Sequence, residues 1–513
     1  METTKLQQIL TSSENMSREY CCTIVKIDEV NPIEGSDFLG TTMVEGRTIV
    51  VRKDQVKPGD LLFYVSNECQ IASDFLYINN LYENWQDNAN APEIEKALEE
   101  IRSTAHADEV AAKEAQYIKA HKGYFNDKGR VRMVKLRGVI SMGYLFGLDE
   151  MKAWCPAFDI TPDELEPGLD FDTVNGVLFV KPYVPKSAET ESKGRQSRDK
   201  KRNKRIAKFD VLIPGQFAFH YDTNQLNREM YRIKPDDVVD ITTKIHGTSI
   251  ILANVLTKAP KWGGLYEKLF VKLPKWLQFT KQTYKLLYSS RNIIRNQFIV
   301  DENAQRNYYT TNVYKEWGEK MESYIPHGMT IYGEVCGYET NLNKLIQHKE
   351  GDYDYGCKPG ENRLVIYRIT SFQDDGKKKE WTITEVRDFT EALIAIMKAR
   401  EDETWKQIMP LELLYHGTLQ DLYPDVSLEN HWHANVLEKM KNDHEHFHME
   451  EMEYLCRHKA PREGIVLRIE NDPIAEAFKL KCLKYLGKEA DAMDKGIVDD
   501  VEMEERYGDD DDF

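Results

Sequence analysis

Residues 186–205 read KSAETESKGRQSRDKKRNKR, twenty residues without an apolar period. A stretch of this kind cannot bury enough apolar surface to offset the entropy of ordering it. No single hydrophobic core can run through it, so the 513-residue chain must fold as separate bodies on either side. The expected layout has a β-rich domain over 1–150, a connector with a basic linker over 151–208, a larger mixed domain over 209–486 and an acidic tail over 487–513.

The first domain is read from short strands with glycine-rich corners. YCCTIVKIDEV (20–30), TIVV (48–51), LLFYV (61–65) after the turn KPGD, and VRMVKLRGVISMGYLFGL (131–148) all alternate or carry β-branched residues. This pattern predicts a small OB-like β-barrel. The Ala-, Glu- and Lys-rich segment at about 91–122 reads as helices inserted into it. The larger domain mixes strands and helices, with a helical insertion at about 385–460. The whole is an α+β chain.

The net charge of −17 argues against a generic nucleic-acid binder, but two tracts run the other way. Residues 186–208 hold ten Lys/Arg against three acids, and residues 258–291 hold eight against one. Local phosphate contacts are the functional reading and solvated linkers the bland one. The second tract interleaves its lysines with Trp262, Tyr266, Phe270, Trp276 and Phe279. Stacked bases would suit that pattern, and so would an amphipathic helical hairpin packed on the core. The eight cysteines form no C-x-x-C pair, the start lacks an apolar signal core and no run of 18 apolar residues occurs. A reduced, cytoplasmic protein that spans no membrane is expected, with a monomer favoured.

The stretch with the most chemical content is DITTKIHGTSIIL (240–252). Two β-branched runs flank Lys244, His246 and Gly247, which puts a lysine at a strand-to-strand turn where a glycine permits close backbone approach to a ligand. Such a lysine can act as a nucleophile if cations nearby lower its pKa. Candidate partners follow in order. Glu334 ends a strand in TIYGEVCGYE, Glu463 opens one in REGIVLRI, and Lys479 and Lys481 share one face of AFKLK because side chains alternate with period two. The two carboxylates are candidate ligands for Mg²⁺, and the two ammonium groups form a candidate phosphate clamp. A second His-Gly-Thr at 416–418 has Leu414 at the lysine position and reads as a loop. GDYDYGCK (351–358) only approximates a P-loop, since Cys357 stands at the lysine position. The histidines at 431, 433, 444, 446 and 448 read as structural rather than as a zinc site, since on a helix only His444 and His448 share a face.

Taken together, KIHGTS, YGE, EGIVLR and KLKCLK resemble the ordered motifs of the covalent nucleotidyltransferases: RNA ligases, DNA ligases and mRNA capping enzymes. YSSRN (288–292) and LVIYRIT (364–370) are similar to two further motifs of that superfamily. The resemblance spans about 238–486. His246 stands where DNA ligases and capping enzymes typically have Asp, which makes the chain look like an RNA ligase. An OB-like module before the lysine, and only some thirty residues after Lys481, resemble the subfamily that seals nicks in duplexes. Thr243 departs from that subfamily, in which Glu often precedes the lysine.

The resemblance implies an adenylyltransferase domain with antiparallel sheets, in which Lys244 carries AMP. It implies nucleotide contacts from His246, Gly247, Arg291 (or Arg295), Glu334, Tyr367, Glu463, Lys479 and Lys481, with Glu334 and Glu463 as metal ligands. The implied cofactors are ATP and Mg²⁺ or Mn²⁺. The implied partner is RNA, at nicks bearing a 3′-OH and a 5′-phosphate, in a repair reaction. The alternatives are a non-catalytic RNA-binding protein on a ligase-like fold and a capping-type guanylyltransferase.

Overall fold

The computed structural model describes residues 4–13, 16, 18–106, 108–183, 211–220, 223–270, 273–291, 293–296, 309–346, 353–373, 375–429, 431–470 and 476–494. It divides into two compact units, Met1–Tyr183 and Val184–Asp509. The basic linker at 186–208 and the acidic residues after 494 lie outside the described residues.

In the first unit an antiparallel sheet runs in the order Tyr144–Phe146, Leu61–Val65, Cys22–Lys26, Asp170–Phe171. A hairpin of Leu39–Val44 with Arg47–Arg52 belongs to a separate sheet. Among the described residues no sheet closes on itself, so the expected barrel gives way to several small sheets. The reason is local. The 39–52 hairpin pairs with itself and builds its own core from Val44, Ile49 and Val51 against Val25 and Tyr64, so its hydrogen bonds do not extend the central ladder. The unit also runs past residue 150. Strands within 170–182, placed by the sequence in the connector, pair with Cys22–Lys26, Leu10–Thr11 and Cys69–Ile71. Two helices, Ala91–Thr104 and Val110–Ala120, fill the Ala- and Glu-rich segment.

One buried ion pair anchors this unit. Arg130 grips Glu68 through Nε at 2.7 Å and Nη2 at 2.8 Å, and both are almost fully buried. Removing one partner of such a pair strands the other charge. Glu68→Ala is expected to destabilise the first unit by about 3–5 kcal/mol, read from its urea-unfolding transition. A loss below about 1 kcal/mol would mean that water reaches Arg130.

The second unit holds two sheets. The first runs Asn224–Gln225, Ala477–Lys481, Gly464–Ile469, Val238–Thr243, Leu413–Thr418. The second runs Thr280–Ser289, Thr248–Pro260, Met329–Gly337, Asn362–Phe372, Lys378–Glu380. Both are antiparallel except at short pairings of Asn224–Gln225 with Ala477–Lys481 and of Ile408–Met409 with Asn362–Phe372. Alternation assigns the faces. Val239, Ile241, Ile465, Leu467, Phe478 and Leu480 pack into one core with helix Trp432–Lys441. Ile250, Leu252, Ile331, Leu364 and Ile366 pack into another with helices Val313–Met321 and Ile383–Ala399.

Two expectations change here. The second His-Gly-Thr is not a loop: Leu413–Thr418 pairs along Val238–Thr243 and covers what would otherwise be an open sheet edge. The 385–460 insertion is thus helical only in part. The 258–291 tract is not a helical hairpin either. Its flanks continue as the long strands Thr248–Pro260 and Thr280–Ser289, paired over ten registers from Ile251↔Ser289 to Pro260↔Thr280. Among the described residues, short helical turns, Leu265–Leu269 and Lys275–Leu277, cap the tip. Among the described residues no helix is long and apolar enough to cross a membrane.

Candidate active site

Strand Val238–Thr243 delivers Lys244 to a cleft whose walls come from both sheets of the second unit. Thr242, Val466, Arg468 and Ala477 line it from one sheet, and Glu334, Val365, Tyr367 and Arg368 from the other, with Arg291 and His220 at the same cleft. The backbone N–H of Lys244 donates to Gly464 O at 3.0 Å, which ties the lysine to the strand that begins after Glu463.

Lys244 Nζ lies 2.8 Å from Glu463 Oε1, and the Glu463 side chain is only 4% exposed. Burial alone would raise the Glu463 carboxyl. The Lys244 ammonium, with His246 and Lys481 behind it, outweighs burial and holds the carboxyl below its usual range. His246 Nδ1 stands 3.7 Å from Glu463 Oε2 and 3.1 Å from Tyr485 Oη. The His246 ring meets Tyr353 edge to face at 4.6 Å, and its backbone N–H donates to Tyr355 Oη at 2.7 Å. The P-loop-like segment thus braces the lysine motif through two tyrosines. His246 itself does not line the cleft.

Gly247 also packs tightly against the neighbouring sheet. A Cβ there would sit 2.4 Å from Val335 O and 2.9 Å from Glu334 Cγ. The glycine lets the lysine motif lie against the strand that carries Glu334. Gly464 has φ +144°, and a Cβ would meet Leu480 O at 2.0 Å.

Of the remaining predicted residues, Arg291 reaches the cleft, whereas Arg295 is buried with its guanidinium 5.4 Å from the Tyr314 ring. Tyr367 reaches it through a β-bulge. The register slips between Tyr332↔Arg368 and Gly333↔Ile366, which leaves Tyr367 as the extra residue and turns both Tyr367 and Arg368 into the cleft. Lys479 and Lys481 occupy the same face as Ala477, the face opposite the Phe478 and Leu480 core. Lys481 Nζ pairs with both oxygens of Glu489 at 3.1 Å and lies 5.2 Å from the Tyr485 ring centre. Both partners belong to helix Leu483–Asp494.

Thr243, the departure from the resembled motif, joins a polar network. Its hydroxyl donates to Glu412 Oε2 and accepts from the buried Arg462 Nη2. Tyr454 donates to the other Glu412 oxygen. Burial alone would raise the Glu412 carboxyl, and these donors together hold it low instead. Sequence reading missed Glu412, Arg368, Arg468, His220, Tyr355 and Tyr485. Arg468 was within reach, because it shares the period-two face of Val466 in REGIVLRI.

Among the described residues no group of three His, Cys, Asp or Glu side chains gathers as a metal cluster. His446 contacts Asp443 and His433 contacts the Ile233 carbonyl, so each has a structural partner. His416 Nδ1 is 2.8 Å from the buried Asp240. All eight cysteines are free thiols, and burial pushes the Cys22 thiol well up.

No curated protein matches the sequence. Among solved structures, a Naegleria gruberi RNA ligase variant with AMP and Mn is similar at 14% identity and a TM-score of 0.48, covering 91% of this chain and 98% of that one. A second variant of that ligase, with ATP and Mn, is similar at 16% identity and a TM-score of 0.48, covering 92% and 99%. The family model described as RNA ligase matches residues 237–486. That span, just under half of the chain, includes Lys244, Glu334, Glu463, Lys479 and Lys481 and is similar to the RNA ligase family.

Proposed function

We propose that this protein is an ATP-dependent RNA ligase that joins 3′-OH and 5′-phosphate ends at nicks in duplexes through a lysyl-AMP intermediate. The observation that carries the reading is Lys244 at the cleft, ion-paired to a buried carboxylate and faced by Arg291, Glu334 and Tyr367. In this reading Lys244 Nζ attacks the α-phosphorus, a P–N bond forms and pyrophosphate leaves. The adenylyl group then passes to the RNA 5′-phosphate, and attack by the 3′-OH expels AMP. Attack needs the Nζ lone pair, so the lysine must leave Glu463 and lose a proton. Arg291, Lys479 and Lys481 offset phosphate charge, and Tyr367 stacks on the base.

A divalent cation, Mg²⁺ or Mn²⁺, fits the donors present. Glu463 Oε2 is buried and accepts no hydrogen bond, and Glu334 supplies a second carboxylate at the cleft. Such ions typically take one or two carboxylates together with substrate phosphates. Glu334 and Glu463 would hold the ion, which supplies charge stabilisation at the phosphates. The first unit is read as the module that grips the duplex beside the nick. The free thiols suit a reducing compartment such as the cytoplasm.

The test incubates the protein with α-labelled ATP or GTP, then offers RNA nicks with defined 3′-end sugars. Label from ATP and sealing at ribose-ended nicks are expected. Label from GTP alone would favour capping chemistry, and RNA binding without label would sink the ligase reading.

A further inference from the structure

The strands that build the cleft also leave it. Thr248–Pro260 starts one residue after Gly247, and its partner Thr280–Ser289 ends two residues before Arg291. Twelve steps at about 3.3 Å each carry the far end roughly 40 Å along the strand from Thr248. That end is folded. Tyr266 Oη donates to Leu277 O at 2.7 Å and accepts the Phe279 N–H at 2.7 Å, while Gln278 Nε2 donates to Phe270 O and Leu273 O, both at 3.0 Å. Phe270 is 1% exposed and forms the small core of the tip.

A tip with its own core and hydrogen bonds nevertheless leaves large aromatics in solvent. Trp276 is 75% exposed, Trp262 50% and Phe279 48%. Trp262 meets Phe279 edge to face at 5.6 Å, so the two form one patch. Lys261, Lys275 and Lys281 are exposed around it. Residues 258–291 carry eight Lys/Arg and one acid in a chain of net charge −17. Exposed aromatics ringed by lysines on a rigid tip match what unpaired bases and their phosphates require. A duplex offers no free base face, so the charge and the rings together favour single-stranded RNA.

We propose that the hairpin tip is a docking platform for an unpaired RNA segment flanking the ends to be joined, with bases on Trp262, Trp276 and Phe279 and phosphates on Lys261, Lys275 and Lys281. The proposal rests on the ligase reading for the nature of the ligand, and it adds a substrate feature: a single-stranded flank held far from Lys244.

Two variants of the full chain test it. One carries Trp262→Ala, Trp276→Ala and Phe279→Ala. The other carries Lys261→Gln, Lys275→Gln and Lys281→Gln, which keeps every aromatic ring and removes one cation contact, that of Lys261 with the Trp262 ring. The probe is a fluorescent single-stranded RNA followed by anisotropy across a salt series. Base stacking is worth about 1–3 kcal/mol per base, so the aromatic variant should bind at least about fivefold more weakly. The lysine variant should lose roughly two units of salt slope, at about 0.7 per phosphate contact. Sealing of nicked duplexes with an unpaired tail should fall in both variants, while labelling of Lys244 by α-labelled ATP stays at the parent level. Undiminished RNA affinity in both variants overturns the platform, and a changed oligomeric state alongside it assigns the patch to a second copy of the chain. If the parent takes no label yet the variants lose RNA binding, the ligase reading fails and the platform stands.

Discussion

Lys244→Ala is expected to give no protein–AMP adduct when incubated with α-labelled ATP. The parent protein is expected to give an adduct that acid removes, as a phosphoramidate would. The expected loss is total, because among the described residues no second lysine holds the same relation to the cleft: Lys479 and Lys481 lie two strands away in the same sheet, and Lys481 is engaged with Glu489. The substitution also strands Glu463, a buried carboxylate that Lys244 helps to keep ionised. A stability loss of about 1–3 kcal/mol should therefore accompany it. The double variant Lys244→Met, Glu463→Gln removes both charges and should recover most of that loss without recovering label. RNA supplied with a preformed 5′-adenylate bypasses the first two steps, so Lys244→Ala should still seal it. Labelling of Lys244→Ala at the parent level would remove the lysine from the chemistry altogether.

Gly464→Ala should be nearly as damaging without touching a charged group. At φ +144° an L side chain is strained, and the added Cβ would fall 2.0 Å from Leu480 O, a backbone atom in the paired strand. Strands Gly464–Ile469 and Ala477–Lys481 must separate to admit it. That moves Glu463 on one side and Lys481, the register partner of Gly464, on the other. The Lys244 N–H bond to Gly464 O shifts with them. The cost should reach about 3 kcal/mol or more, seen as a melting temperature lower by roughly 4 °C or more for a unit of this size. Adduct formation should drop at least tenfold. A variant that melts within a degree of the parent would show that the strand pair accommodates the methyl group.

The sequence made the chemistry-bearing strands legible because each carries a short β-branched run with a charged residue at a fixed place. Lys244 and Glu463 stand beside strand termini, where a linear pattern is most informative, whereas Glu334, expected to end a strand, lies within Met329–Gly337. Tyr367 was legible as an aromatic in LVIYRIT, but the bulge that turns it into the cleft together with Arg368 depends on pairing with Met329–Gly337. Glu412, Tyr355 and Tyr485 come from segments remote in sequence, and their roles arise only when sheets and helices pack. The second His-Gly-Thr was misread because the absence of a nucleophile says nothing about strand pairing. Its His416 contacts Asp240, the first residue of the stretch that carries Lys244. The barrel expected over 1–150 failed for a similar reason. Short strands with glycine corners specify local hairpins, whereas closure depends on hydrogen bonds between hairpins that no periodicity records.

The helix that follows Lys481 has a practical consequence for anyone who trims this chain. Similarity to the ligase family ends at residue 486, inside the helix Leu483–Asp494. Tyr485 on His246 falls within that limit, but Glu489 on Lys481 and Lys488 over the Tyr353 ring fall beyond it. A fragment cut at the family boundary would sever the last turns from a site they help to assemble. Fusion partners and affinity tags belong beyond residue 494, where they leave the contacts of Lys488 and Glu489 in place.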